Sequence, residues 1–432
     1  MRAFLLSTVF ALSATAALAA DVTVSELKLD DLPLGQVTYP GGKTLTLVRG
    51  IGSAAFRDPS DPAGVVWTLT DRGPNLDCEG IEEFTGLGID TLCAGDDKAK
   101  NFPMPDFNVT IQKVEAGSDG TAKVTETIAL KDKTGKLVGG LPFTADGIKM
   151  EAAFDMNGKP LTGVNGLDSE ALVRLPGGGF LIADEYAPSI VEVAADGTLV
   201  KRHVPAGLEA ALANDGVEVV GTLPAIMAKR YINRGLENLA ISPDGNTIYA
   251  LMQSPLANPD SDAYKKSANT RLWKIDRATG KALGEYVYVM DDATSFAADN
   301  KKEPQKQNAV RMSEMVAIGN DKLLVDERIS KTTKFYVIDL ATATPVDASF
   351  DDAKTSPSLE QMSAADMEAK GIKPVVKTLI LNSDDVDGLP KKIEGIAVIS
   401  PTEMIVFNDS DFGIEGDANK ALRVTFASPV LQ

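Results

Sequence analysis

Glu170, Glu237, Glu314 and Glu394 each open the same local pattern: a glutamate, a short apolar run, a turn, a second apolar run and a polar cluster. The copies run from Ser169-Glu170-Ala171-Leu172 to Asp184-Glu185-Tyr186, from Leu236-Glu237-Asn238-Leu239 to Met252-Gln253-Ser254, from Ser313-Glu314-Met315-Val316 to Asp326-Glu327-Arg328, and from Ile393-Glu394-Gly395-Ile396 to Asn408-Asp409-Ser410-Asp411. A fainter copy runs from Gly52-Ser53-Ala54-Ala55 to Asp71-Arg72-Gly73. Supersecondary units repeated in this way mark arrays and rings. In a ring, residues at one place in each unit meet at the axis. The pattern therefore predicts four glutamates at one level, with Asp71, Asp184, Asp326 and Asp409 as a second shell or rim.

Several carboxylates held close together cannot all stay ionised unless a cation compensates them. The available donors are nearly all oxygen, which suits Ca²⁺ first and Mg²⁺ or Mn²⁺ second. Glu170, Glu237, Glu314, Glu394, Asp326 and Asp409 are the expected metal ligands. Bound calcium would polarise a phosphoryl or carbonyl oxygen and acidify a bound water. Arg72 follows Asp71 directly, and Arg328 lies two residues after Asp326. Both would offer paired donors to an anionic substrate. Asp71, Arg72, Asp184 and Arg328 are accordingly the candidate catalytic residues. The competing account is structural: strand-start glutamates accept backbone N–H bonds from the next unit, and the Asp and Arg residues form ion pairs between units. One copy breaks the pattern, because Met252-Gln253-Ser254 carries no acid, and the pocket is expected to open there.

The elements that must position these residues read as strands. In the Glu237 copy, Asn238–Ile241 and Thr247–Met252 flank the turn Ser242-Pro243-Asp244-Gly245, where proline presets φ and glycine accepts positive φ. Thr270–Ile275 and Glu285–Met290 follow, giving four antiparallel strands, the content of a propeller blade. Strands near Val65–Thr70, Asn108–Val114 and Ala122–Ile128 belong to the first copy. The expected fold is all-β, a β-propeller of four-stranded antiparallel blades, with five repeats read and a sixth allowed between Ala54 and Glu170. Val22–Leu27 and Ala421–Phe426 should share one blade and close the ring, which removes a free sheet edge. Insertions are expected over 77–105 and, as an exposed loop, over 293–308. A short helix is expected over Ser363–Lys370 with Ser363 as its N-cap. Trp67 and Trp273 read as core.

Composition narrows the function. Residues 1–20 carry one charge, Arg2, an apolar alanine-rich run and Ala17-Leu18-Ala19, the pattern of a secretory signal cleaved near Ala19/Ala20. The mature chain, 21–432, should form a single periplasmic or secreted domain. The net charge of −18 argues against nucleic acid and anionic membrane as partners. Cys78 and Cys93, a close pair in an exported chain, are expected to form a disulfide. The lone histidine, His203, sits in a strand-like alternation beside Lys201 and Arg202 and reads as a surface residue. Histidine-rich zinc sites are excluded, and no Gly-x-Ser-x-Gly elbow, Walker loop or Gly-x-Gly-x-x-Gly is present.

The runs Asn233-Arg234-Gly235-Leu236-Glu237-Asn238-Leu239-Ala240-Ile241, Met312-Ser313-Glu314-Met315-Val316 and Lys392-Ile393-Glu394-Gly395-Ile396-Ala397-Val398, with Asp71-Arg72-Gly73 and Asn408-Asp409-Ser410-Asp411-Phe412-Gly413, resemble the bacterial exported "esterase-like activity of phytase" family over roughly residues 45–430. The resemblance implies a fold similar to β-propeller phytases and hydrolysis of phosphate or carboxylic esters. A monomer acting on a small anionic ester with a divalent cation is the resulting expectation. The alternatives are a non-catalytic, calcium-stabilised propeller that binds a ligand or protein partner, and a lactonase-type propeller with one divalent ion.

Overall fold

The structure is a computed structural model that describes residues 21–214 and 216–432. The secretory signal and its cleavage site lie outside the described residues. Strands dominate, and among the described residues no helix is long and apolar enough to cross a membrane.

The sheets follow chain order around a ring. Ser169–Arg174, Phe180–Asp184, Ser189–Val193, Leu199–Pro205 and Glu218–Leu223 form one sheet; Leu236–Ile241, Thr247–Met252, Asn269–Asp276 and Ala282–Val289 a second; Met315–Gly319, Lys322–Arg328, Thr333–Asp339 and Val376–Asn382 a third. An eight-stranded sheet orders Ile393–Ser400, Glu403–Asn408, Ala421–Phe426, Val22–Leu29, Thr121–Ala129, Thr110–Ala116, Val65–Leu69 and Ala54–Phe56. The innermost strands touch in a closed cycle: Ala54–Phe56 meets Ser169–Arg174, then Leu236–Ile241, Met315–Gly319, Ile393–Ser400 and Ala54–Phe56 again. This is the arrangement of a β-propeller. Glycine lets neighbouring sheets approach at the axis. A Cβ on Gly52 would lie 1.9 Å from the Asn408 carbonyl oxygen, and one on Gly235 would lie 2.2 Å from that of Glu185.

Val22–Leu29 joins the chain's two ends. Val22 to Leu27 pair antiparallel with Phe426 to Ala421, and Lys28 and Leu29 continue parallel to Thr121 and Ala122. One strand thus ties the last-formed sheet to the first, and no uniform four-stranded rule holds. Leu199–Pro205 also takes an extra parallel partner, Glu218–Leu223.

Packing between sheets is apolar. Ala171, Val173, Leu181, Leu239, Ala250 and Trp273 bury one another between the second and third copies. Trp67 and Trp273 are both core residues. A second, small sheet of Leu76–Asp77, Lys100–Phe102, Ala153–Asp155 and Pro160–Leu161 sits over the ring. The Cys78–Cys93 disulfide anchors it, with both cysteines buried. The segment 293–308 is exposed at Lys301 to Pro304 and at Lys306, as expected, but it is pinned at two places. Phe296 is fully buried, and the Asp299 carboxylate accepts the backbone N–H groups of Ser330, Lys331 and Thr332. The helix Ala364–Ala369 forms with Ser363 accepting the Asp366 N–H.

Leu27 is buried in the apolar contact between the joined ends, with Ile405, Phe407 and Ala421. Leu27→Ala should lower the unfolding free energy by roughly 2–5 kcal/mol, read from urea denaturation. A loss below about 0.5 kcal/mol, the range of surface substitutions, would show that this strand does not hold the ring closed.

Candidate functional site

Backbone irregularity aims the repeated glutamates. The strand register slips at Glu170, between Ser169 and Ala171; at Glu237, between Leu236 and Asn238; and at Glu394, between Ile393 and Gly395. A β-bulge adds one residue to a strand and turns its side chain out of the alternation. All three glutamates line one cavity of about 710 Å³. Glu314 does not. Its Oε2 accepts the Ala55 N–H at 3.1 Å and its Oε1 the Met315 N–H at 3.0 Å, so it bonds one sheet to the next.

The second strands sort their acids by one residue. Asp184 lies opposite Ser169, Met252 opposite Leu236 and Asn408 opposite Ile393. Asp184 is fully buried, accepts the N–H groups of Asp168, Tyr186 and Ala187, and pairs with Arg202. Asp326 likewise accepts the N–H groups of Ser313 at 2.9 Å and Glu314 at 2.8 Å. Neither lines the cavity. The residues one step further on do: Glu185, Gln253 and Asp409, with Asp71 from the first copy. Glu327, the remaining equivalent, turns away to Tyr288, the Asp291 N–H and Lys377. Met252-Gln253-Ser254 is not an open side. All three residues are buried, and the Gln253 amide donates to Glu237.

Oxygens from Asp71, Asp168 and Glu170 all lie within 4.8 Å of one another, as do oxygens from Glu170, Glu185 and Glu237. Asp168 is fully buried; Arg72 Nη1 stands 3.0 Å from its Oδ2, its Oδ1 has no partner, and Glu185 Oε1 is also without a partner. Burial raises Asp71, Asp168, Glu170 and Glu237, although Asp71 and Glu170 retain some water contact. Burial pushes Asp71 up to about 7. Burial and then Asp168, Glu237, Asp71 and Glu394 push Glu170 well above the usual carboxylate range. Burial, Asp411, Glu394 and Asp71 do the same for Asp409.

Four arginines line the same cavity: Arg72, Arg234, Arg311 and Arg328. Arg72 Nη1 is held by Glu151 at 2.8 Å and Asp168 at 3.0 Å. Arg328 donates to Ser313 Oγ at 2.7 Å and pairs with Glu394. Arg311 is pulled down to about 10, first by the like charge of Arg234, then by burial, then by Arg328. The Nε atoms of Arg234 and Arg311 are buried without a partner. Mutually repelling guanidinium groups with unused donors form a seat for an anion. Arg234 and Arg311 escaped the sequence reading, although each stands three residues before a repeated glutamate, Glu237 and Glu314.

Sheets ringed about an axis, with ionisable side chains from several of them meeting in one cavity, define a β-propeller with an axial polar site. The chain belongs to the phytase-like family described as "Esterase-like activity of phytase", whose sequence model matches residues 46–412. It is 26% identical over 290 residues to an uncharacterized secreted protein of Arthroderma benhamiae, a match covering 59% of this chain and 53% of that one, so the chain spans about half the length of this curated relative. Among solved structures, regucalcin from Agrobacterium tumefaciens, a calcium-binding protein, aligns at 13% identity and a TM-score of 0.35, covering 94% of this chain and 99% of that one. The Malassezia sympodialis allergen Mala s 1 aligns at 10% identity and a TM-score of 0.36, covering 89% and 83%.

Asp326 supplies a pH test separate from the cavity. Burial raises it from 3.8 to about 7. A raised carboxyl stabilises the fold fully below its unfolded value and loses that contribution as pH rises through the folded one. In chelator, wild-type stability should fall between about pH 4 and pH 7, by at most about 1.4 kcal/mol per unit from this one group. Asp326→Asn should flatten that fall, as measured by urea unfolding across the range. Equal slopes in the two proteins would refute the assignment.

Proposed function

We propose that this protein is an exported hydrolase of phosphate or other esters that acts in the axial cavity with the assistance of a divalent cation.

 The cation is calcium, and turnover requires it. The observation that carries the proposal is the convergence, in one cavity, of several carboxylates, Glu185 with an unpartnered oxygen among them, and of Arg234 and Arg311 with unpartnered Nε donors. The ring is read as five blades, with the eight-stranded sheet counted as two blades stitched by Val22–Leu29. The mature chain is read as a single periplasmic or secreted domain, monomeric, with a small anionic ester as its partner.

The donor set fits the cation. All the converging donors are oxygens, and in each group they lie within 4.8 Å of one another, close enough to share one calcium, whose opposed oxygens stand roughly 4.6–5.2 Å apart. Asp71, Asp168, Glu170, Glu185 and Glu237 would hold it, so Asp71 moves from the catalytic to the metal-holding residues. Bound there, it would polarise the ester and acidify water. Arg234, Arg311 and Arg328 orient the anionic end of the substrate. Arg72, held by Glu151 and Asp168, fixes the Asp168 carboxylate rather than gripping substrate. Asp409 lines the cavity but lies outside both close groups, which leaves its carboxylate free to take a proton from the attacking water.

The test is release of phosphate from phytate or p-nitrophenyl phosphate, and of nitrophenol from p-nitrophenyl acetate, with calcium and then with chelator. Turnover should require the cation. Asp409→Asn should lower kcat by about 10²–10⁴-fold, whereas Glu314→Gln should keep turnover and lose thermal stability. Calcium binding without turnover on any ester would favour the non-catalytic propeller instead.

A further inference from the structure

The two close groups of carboxylates share one member. Asp71, Asp168 and Glu170 form one, and Glu170, Glu185 and Glu237 form the other. Each contains a side chain more than nine-tenths buried with an oxygen that nothing in the protein satisfies: Asp168 in the first, Glu185 Oε1 in the second. Beside the second group, Gln253 Oε1 is likewise buried and unpartnered while its nitrogen donates to Glu237. A buried carboxylate oxygen without a partner is costly, and each group carries one, on Asp168 and on Glu185, so compensation is called for in both. Within hydrogen-bonding reach, Asp168 has only Arg72, and Arg72 is shared with Glu151. With Arg72 set against Asp168, four carboxylate charges remain in the two groups; one divalent cation meets half of them and two balance them.

We infer that the cavity floor holds two divalent cations bridged by Glu170. Asp71, Asp168 and Glu170 hold the first. Glu170, Glu185 and Glu237 hold the second, with Gln253 Oε1 as a neutral donor. The inference rests on the reading of this cavity as a cation site, and it adds the number of ions and the bridging residue.

The decisive measurement is the number of calcium ions bound by the chelator-treated full chain, by isothermal calorimetry and native mass spectrometry. Two per chain are expected in the wild type. Asp168→Asn and Glu185→Gln should each leave one, and Glu170→Gln should weaken both. One ion or none in the wild type, or two retained in both Asp168→Asn and Glu185→Gln, would overturn the inference. The wild-type count needs no variant to fold. One ion with chelator-sensitive turnover would sink this inference alone, and two ions with no turnover would support it while sinking the hydrolase reading.

Discussion

Taking a carboxylate out of water is costly unless something meets its charge, and this ring asks that of many acids at once. Two solutions appear side by side. Asp184, Glu314 and Asp326 are met from within the fold, by backbone N–H groups and, for Asp184, by Arg202. These bonds fix where one strand enters a sheet and how one sheet faces the next. Asp168, although Arg72 reaches its Oδ2, and Glu185 each keep an oxygen that the fold does not meet. The same residue types thus split into fasteners and unsatisfied groups, and the difference is what the neighbouring backbone offers.

The switch between the two is geometric. Successive strand residues face opposite sides, so one step along the second strand separates a fastener from a cavity group: Asp184 from Glu185, Met252 from Gln253, Asn408 from Asp409. On the first strand the bulge performs the matching turn for Glu170, Glu237 and Glu394. Close approach at the axis makes this possible, and Gly52 and Gly235 stand where any side chain would strike the adjacent sheet.

Much of the fold was legible because period-2 alternation, turn residues and repetition all point one way. The closing pair of Val22–Leu27 with Ala421–Phe426 and the turn at Ser242–Gly245 follow from those signals. What was not legible depended on register and long-range packing. The line-up of Asp71 with Asp184 and Asp326 was one residue off, because acids adjacent in sequence look alike until pairing fixes which face each takes. Segment 293–308 looked solvated because its anchors, the N–H groups of Ser330 to Thr332, are distant in sequence. Arg234 and Arg311 were visible only as a shared offset from Glu237 and Glu314, a signal weaker than the acids beside them.

The arginines explain why the cavity can hold so many acids without collapsing into internal ion pairs. Arg72 and Arg328 are spent on Glu151, Asp168 and Glu394. Arg234 and Arg311 sit close enough to repel, which lowers Arg311 toward 10 and leaves both Nε donors unused. Part of the charge is therefore cancelled pairwise, and part, at Arg234 and Arg311, is kept apart from the acids within one space. Such separation costs folding energy, and it is retained where a ligand carrying both a cation and an anionic group can complete each half.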